Sequence, residues 1–281
     1  YKVPRLVFIN KMDRTGADPF KAIEDLKEKL GHNAVAMQIP IGSEDDFDGV
    51  VDLTTMKALF NEGKKGETIV EKEIPADLLE LAQEKRAEML DCISMFNDQL
   101  MEDLLEEKEI SEDLIHAAVL EGVNSLELTP VYMGSAFKNR AVQPMLDAVC
   151  RYLPSPETAA PTQARDAKHE DQIVELQPDK DKPLVCMAFK ITDEQFGQLT
   201  HIRIYQGTIQ KGMNIYNSRT GKKIRVGRLV RMHSDSKENI DSASAGDIIA
   251  MIGVDCASGD TFCDENISVT LESMYVAQPV I

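Results

Sequence analysis

The chain has 281 residues, 43% apolar and 28% charged, with a formal net charge of −17, which is enough length for two or three domains with real cores and the composition of a soluble globular protein. No apolar run is long enough to span a bilayer, and a chain this acidic is no general polyanion binder, so no membrane partner is expected and any RNA contact has to come from a local basic patch. Five scattered cysteines without a CxxC pair, and histidines without ligand spacing, argue for a reducing compartment and against a zinc site, so no metal ligand is expected.

The chain opens at Tyr1 with neither an initiator methionine nor a signal-peptide pattern, and its last residues read as the start of another element, so a fragment cut at both ends is the expectation. Leu6-Val7-Phe8-Ile9 is a continuous apolar run that suits a parallel strand buried on both faces. It stops at Asn10-Lys11-Met12-Asp13. Asp18 as N-cap and Pro19 at the first helical position predict a helix with Phe20, Ile23, Leu26 and Leu30 on one face, ended by Gly31. A second apolar strand, Pro130-Val131-Tyr132-Met133, stops at Gly134-Ser135-Ala136 and leads into a helix from about Val142 to Leu153. These two strand-then-helix units predict the C-terminal part of a doubly wound α/β domain, over residues 1–37 and 129–153.

Residues 38–128 lie between them, with strands expected at Val50-Val51-Asp52-Leu53 and Thr68-Ile69-Val70, a helix from Leu78 to Phe96, and shorter helices near Leu100 and Leu114. Ordinary connections run to about 4–6 residues, so a stretch of this length predicts an inserted α+β subdomain. Pro154, Pro156 and Pro161 open a polar linker, 154–182. From 183 to 266 the period changes to two, with alternating runs at Cys186 to Ile191, Thr200 to Tyr205, Met213 to Tyr216, Ile224 to Met232 and Asp247 to Ile252, and a hairpin-turn candidate at Ser218-Arg219-Thr220-Gly221. That pattern predicts a small antiparallel β-barrel. Residues 267–281 read as one more strand without a domain to join.

Four stretches could carry chemistry. Asn10-Lys11-Met12-Asp13 matches N-K-x-D, a pattern that chance supplies in roughly one chain in thirty of this length. Its weight comes from its place at the carboxyl end of a buried parallel strand, where open α/β sheets bind ligands. Guanine presents N1–H and its exocyclic amine side by side, and an ionised Asp13 accepts both; adenine offers an acceptor there instead. Lys11 can lay its aliphatic stem along the base, and Asn10 can tie neighbouring loops by hydrogen bonds. Gly-Ser-Ala is common, and taken alone says little. At the end of a neighbouring strand, however, the backbone N–H groups of Ser135 and Ala136 can donate to the guanine carbonyl oxygen, with Gly134 allowing close approach. Asn10, Lys11, Asp13, Ser135 and Ala136 are thus the candidate guanine site. No G-x-x-x-x-G-K-[ST] occurs, so no phosphate cradle, magnesium ligand or catalytic residue is expected within these residues, and GTP binding by the chain alone is expected to be on the order of millimolar or weaker.

The acidic run Glu44-Asp45-Asp46-Phe47-Asp48-Gly49 places Thr55 where an EF-hand loop needs its twelfth-position glutamate, and it reads as a solvated acidic turn entering a strand. From Lys222 to Met232, Ile224, Val226, Val230 and Met232 share one face of an alternating run, while Lys223, Arg225 and Arg231 share the other. A basic face on a barrel strand can track a phosphate backbone, which makes these three the candidate RNA contacts; an ordinary solvated face is the alternative.

Taken in order, these segments resemble the elongation factor G family of translational GTPases, which drive ribosomal translocation. The resemblance runs through Phe8 to Asp18, Asp48-Gly49-Val50-Val51-Asp52-Leu53, Gly134 to Asn139, Tyr205-Gln206-Gly207-Thr208, Gly246-Asp247-Ile248, Gly259-Asp260-Thr261, and Leu271 to Ile281. Asp255 to Phe262 leans to the mitochondrial type and its bacterial relatives. The resemblance implies GTP with Mg2+, the end of a G domain with its insert, a domain II barrel at 183–266 and the start of a third domain at 267–281. It also implies a ribosomal partner, with ribosomal RNA met by the barrel and a stalk protein by the insert, in the cytoplasm or, alternatively, the mitochondrial matrix. A recycling or release-factor-type translational GTPase and a non-catalytic RNA-binding module are the alternatives.

Overall fold

The computed structural model describes residues 3–272, apart from 168, 170, 195, 196 and 235. Contacts divide the chain into two compact units, Tyr1–Pro154 and Ser155–Ile281.

The first unit runs β1 (Val7–Ile9), α1 (Pro19–Leu30), β2 (Ala34–Ala36), β3 (Gln38–Ile41), β4 (Gly49–Asp52), β5 (Lys57–Glu62) and β6 (Thr68–Lys72). It continues with α2 (Leu79–Ser94), α3 (Asp98–Leu105), α4 (Glu112–Asn124), β7 (Thr129–Met133) and α5 (Val142–Tyr152). β1 and β7 pair in parallel, Val7 opposite Val131 and Ile9 opposite Met133, and β2 lines the other side of β7. β7 is therefore central, and all five of its residues are buried, as its unbroken apolar run requires. The Asp18 side chain accepts from the Lys21 amide at 3.0 Å to cap α1. Gly31 ends the helix in the left-handed region at φ 65°, its amide and that of His32 satisfying the Lys27 and Leu26 carbonyls.

β3 to β6 form an antiparallel meander. The sequence reading missed β2, β3 and β5, because three residues are too few to show a period, Pro40 interrupts β3, and Lys57 and Asn61 blur the alternation of β5. One apolar cluster joins Val35 and Tyr132 of the parallel sheet to Ile39 and Val51 of the meander, to Met89, Ile93, Leu100, Ile115 and Val119 of the helices, and to Tyr152 of α5. Residues 38–128 thus share their core with the sheet they interrupt.

The second unit comprises β8 (Thr162–Asp166), β9 (Ile173–Leu176), β10 (Val185–Glu194), β11 (Gly197–Gln206), β12 (Thr208–Gln210), β13 (Asn214–Asn217) and β14 (Lys223–Arg225). It continues with β15 (Arg228–His233), β16 (Ser236–Ile240), β17 (Ser242–Ser244), β18 (Ile248–Ile252), β19 (Thr261–Cys263) and β20 (Val269–Leu271). Eight strands make a curled, antiparallel sheet in the order β14-β13-β19-β10-β11-β18-β15-β16, and β12 pairs with β17. Ile202, Ile204, Ile215, Leu229, Ile249 and Phe262 meet inside it.

Two expectations are revised here. Residues 154–182 are not a plain polar linker, since β8 and β9 lie within them. Nor is Val269–Leu271 a strand without a partner, for it pairs with β8 to complete a sheet ordered β20-β8-β9. Ala164, Leu176, Val269 and Leu271 of this small sheet pack with Val185, Met187 and Cys263. Only alternate positions of such short strands are buried, so Thr162–Asp166 exposes too little apolar pattern to announce itself. Residues 273–281 lie outside the described residues.

Candidate functional site

Parallel pairing brings the carboxyl ends of β1 and β7 to the same edge of the sheet, where the two loops that follow them meet. The Gly134 amide donates to the Ile9 carbonyl at 3.0 Å, and the Met12 amide to the Gly134 carbonyl at 3.1 Å. Asn10 Oδ1 accepts from its own loop, the Lys11 amide at 2.8 Å, and from the other, the Ala136 amide at 3.0 Å. Lys11 sits in the left-handed region, φ 64°, which a lysine adopts only under surrounding constraint. Met12 supplies that constraint. Its side chain is 1% exposed and packs with Phe47, Val50, Met133 and Ala141, which leaves Asn10 and Lys11 at the surface. An apolar residue between Lys11 and Asp13 was the available signal for this anchor.

Gly134 is required by space. A Cβ there would lie 2.4 Å from the Arg140 carbonyl oxygen and 2.8 Å from the Phe8 ring. Gly134→Ala is expected to destabilise the first unit by about 1–3 kcal/mol through overpacking, read as a lower urea midpoint in circular dichroism. An unchanged midpoint would mean that the two loops part without penalty.

The Asp13 side chain is only 9% exposed. The Ser135 hydroxyl beside it holds its carboxyl below the usual range; burial acts in the opposite direction, and the backbone, Lys138 and Arg14 add to the lowering. Asp13 is therefore an ionised, acceptor-only group at neutral pH. The buried Ser135 and the exposed Ala136 both differ from expectation in their amides. The Ser135 N–H donates to the Arg140 carbonyl at 3.0 Å, and the Ala136 N–H is taken by Asn10. A buried amide needs a partner inside the protein, and the turn from Ser135 to Arg140 provides one. The Ser135 hydroxyl accepts from the Lys138 amide at 3.4 Å and lowers the pKa of the neighbouring Asp13 carboxyl.

Two neighbours went unread in the sequence. Lys138 Nζ lies 3.6 Å from Asp13 Oδ2. Arg140 pairs with Asp48 at 3.1 Å and donates to the Phe47 carbonyl. Glu44 Oε1 accepts from the Gly16 amide at 2.7 Å, so the acidic run docks on both loops by its two ends. Two cations a few residues beyond Gly-Ser-Ala, opposite an acidic run, were the only hint in the chain.

The expected basic face of residues 222–232 is not one strand. Gly227 separates β14 from β15; β14 pairs with β13 at one edge of the sheet, whereas β15 lies between β18 and β16. Main-chain bonds of Val226 to Met213 and Gly212 pull the chain out of register at the break. Lys223 and Arg225 consequently lie on a different strand from Arg231, which faces Asp247 at 4.0 Å. Among the described residues no helix is long and apolar enough to cross a membrane.

Comparison with known proteins gives this geometry a context. The family model of the elongation factor Tu GTP binding domain matches residues 1–155, and that of elongation factor Tu domain 2 matches residues 197–263. Elongation factor G of Rhodopirellula baltica is 56% identical over all 281 residues, elongation factor G 2 of Anaeromyxobacter dehalogenans 53%, and elongation factor G 1 of Borreliella burgdorferi 51%. The match takes in 100% of this chain and 40% of each relative, so the chain spans about 40% of the length of the curated relatives it matches. A crystal structure of a Thermus thermophilus protein superposes with a TM-score of 0.71 at 24% identity, covering 93% of this chain and 36% of that one, a likeness of fold. With more than half of its residues matched by the first of these models, the chain belongs to the elongation factor Tu GTP binding domain family.

Proposed function

We propose that this chain is part of a ribosome-dependent GTPase of the elongation factor G kind, which moves tRNA and mRNA through the ribosome during elongation in the cytoplasm. Identity of 51–56% across the whole chain to elongation factors G supports that reading. The chain's own contribution is base recognition. The observation that carries this is a near-buried, ionised Asp13 on a loop tied by Asn10 to Ser135-Ala136, at the ends of adjacent parallel strands.

In the proposed pocket, guanine N1–H and its amine donate to the two Asp13 oxygens and replace the long contact from Lys138. Ser135 keeps the carboxylate oriented. The Lys11 stem covers one face of the base, and the Ala136 amide is shared between Asn10 and the guanine carbonyl oxygen. Mg2+ would polarise the phosphates of GTP, and its ligands are assigned outside these 281 residues. The sequence holds no G-x-x-x-x-G-K-[ST] phosphate-cradling motif. Residues 1–37 and 129–153 are read as the C-terminal part of the G domain, 38–128 as its insert facing a stalk protein, and 183–266 as a domain II barrel facing ribosomal RNA.

A chimera in which this chain replaces the matching 40% of the Rhodopirellula baltica elongation factor G tests the proposal. It is expected to retain ribosome-stimulated GTP hydrolysis and translocation. A folded chimera that binds GTP yet moves no tRNA would overturn the translocation role.

A further inference from the structure

The loop that carries Asp13 is gripped by residues outside the sheet it extends from. Arg14, Thr15 and Gly16 are exposed. Gly16 takes φ 81°, with nothing within 4 Å of where a Cβ would stand, so packing does little to fix this stretch. The grip comes from the turn between β3 and β4, within residues 38–128. Glu44 Oε1 accepts from the Gly16 amide at 2.7 Å, and Phe47 and Val50 pack on Met12. Main-chain bonds pass these anchors along the loop: the Arg14 amide donates to the Lys11 carbonyl at 3.0 Å and the Ala17 amide to the Arg14 carbonyl at 3.1 Å. Asp13 thus stands between anchored positions, Met12 and Gly16.

The turn that holds the loop is itself tightly made. Gly42 takes φ 76°, and a Cβ there would lie 2.0 Å from the Asp46 carbonyl oxygen, so a glycine is required. The Asp46, Phe47 and Asp48 amides donate to the Ser43, Glu44 and Ile41 carbonyls at 3.0, 3.0 and 2.9 Å. Glu44 sits in the left-handed region at φ 53°, which a glutamate adopts only where its surroundings impose it. These bonds of the turn use main-chain atoms, which leaves the Glu44 carboxylate for Gly16.

We propose that Glu44 is a positioning residue for guanine recognition: by holding Gly16 it presets the loop that bears Asp13, and so makes guanine affinity depend on residues 38–128. The inference rests on the reading of Asp13 as the guanine acceptor and adds to it a control from outside the pocket. One carboxylate has to meet two hydrogens of the base at once, and a loop that samples several positions must be ordered at a cost when the base arrives. A charge-assisted bond from a main-chain N–H, made beforehand, removes part of that cost. Electrostatics alone predict the opposite sign. GTP is an anion, and loss of a nearby carboxylate would by charge alone raise its affinity. A fall in affinity on loss of Glu44 is therefore the mark of positioning.

The test titrates fluorescent GTP against the Rhodopirellula baltica chimera and its Glu44→Ala, Glu44→Gln and Asp13→Asn variants. Glu44→Ala should weaken binding by about three- to tenfold, with little change in the urea midpoint because the loop it ties is exposed. Glu44→Gln keeps an acceptor oxygen at the same reach and should recover most of the loss. In the 281-residue chain, amide hydrogen exchange over residues 14–17 should quicken in Glu44→Ala. Coupling is reciprocal, so saturating GTP should slow exchange over residues 46–48 of the chimera. Unchanged or raised GTP affinity in Glu44→Ala, while Asp13→Asn weakens it, overturns the positioning role and leaves the guanine site standing. A Glu44→Gln variant as weak as Glu44→Ala, or exchange over 46–48 that GTP leaves unaltered, overturns it equally. If Asp13→Asn changes nothing, the guanine reading itself fails and this inference falls with it.

Discussion

Replacing Asp13 by asparagine is expected to lower GTP affinity on the order of a thousandfold and to turn the preference towards xanthosine triphosphate. An ionised carboxylate has no donor, so both of its oxygens can receive the paired N1–H and amine of guanine. Asparagine keeps one acceptor and turns the other position into a donor, which faces the guanine amine with nothing to receive it. Xanthine carries a carbonyl oxygen at that place and restores the match. The substitution is close to isosteric, the Ser135 hydroxyl retains an oxygen partner, and the side chain is 9% exposed, so the change acts on hydrogen bonding inside a formed pocket. It also releases Lys138 from its ion pair, which makes the empty pocket less committed to the present arrangement. Titration of the Rhodopirellula baltica chimera with fluorescent GTP and its xanthosine counterpart measures both effects. Unchanged affinities would remove Asp13 from the site.

The second large effect concerns the second unit. Asp260 is 3% exposed and takes four hydrogen bonds: from Asn217 Nδ2 at 2.7 Å, the Ala257 amide at 2.9 Å, and Arg219 Nε and Nη2 at 2.6 and 2.9 Å. It thereby joins the β13–β14 turn to the segment before β19. Arg219 is 59% exposed, so its ion pair is screened and contributes modestly; the buried Asn217 amide contributes more. Asp260→Ala leaves the buried Asn217 amide without its acceptor and removes that of the Ala257 N–H, and is expected to cost about 2–3 kcal/mol.

The pH dependence follows from the sign of the shift. Burial alone would raise the Asp260 pKa, but Arg219, the Ala257 amide and Asn217 outweigh it and hold the carboxyl below its ordinary value. A depressed folded-state pKa gives stability that is present above the unfolded value of about 3.9 and is lost as pH falls from there through the folded value. The gap in urea stability between wild type and Asp260→Ala should therefore be full at neutral pH and narrow once the pH drops below about 4. A gap that stays constant to strongly acid pH would show that the charge of Asp260 is not what the network needs.

Several features were legible because their causes are local. The caps of α1 at Asp18 and Gly31 arise within one helical turn, the apolar runs of β1 and β7 announce burial on both faces, and Asn217 to Lys222 turns through Gly221 as the hairpin pattern asks. The sequence alone also located the two loops of the candidate site, because Asn10-Lys11-Met12-Asp13 and Gly134-Ser135-Ala136 each follow such a run directly.

Partnership over distance was decided only by the tertiary structure. Strand pairing put Asn10 against Ala136 across 126 positions of sequence and engaged an amide that the sequence reading assigns to the guanine carbonyl oxygen. Packing placed Lys138 on Asp13, sent Met12 inward, gave residues 38–128 a core in common with the parallel sheet, and divided the supposed basic face at Gly227 between separate strands. It also made β8, β9 and β20 one sheet from segments about a hundred residues apart. The physical reason is common to all of these. A cap or an apolar run is specified by neighbours in the chain, whereas a hydrogen-bond partner, a counter-charge or a strand neighbour is specified by which surfaces are buried together, and no short window of sequence contains that choice.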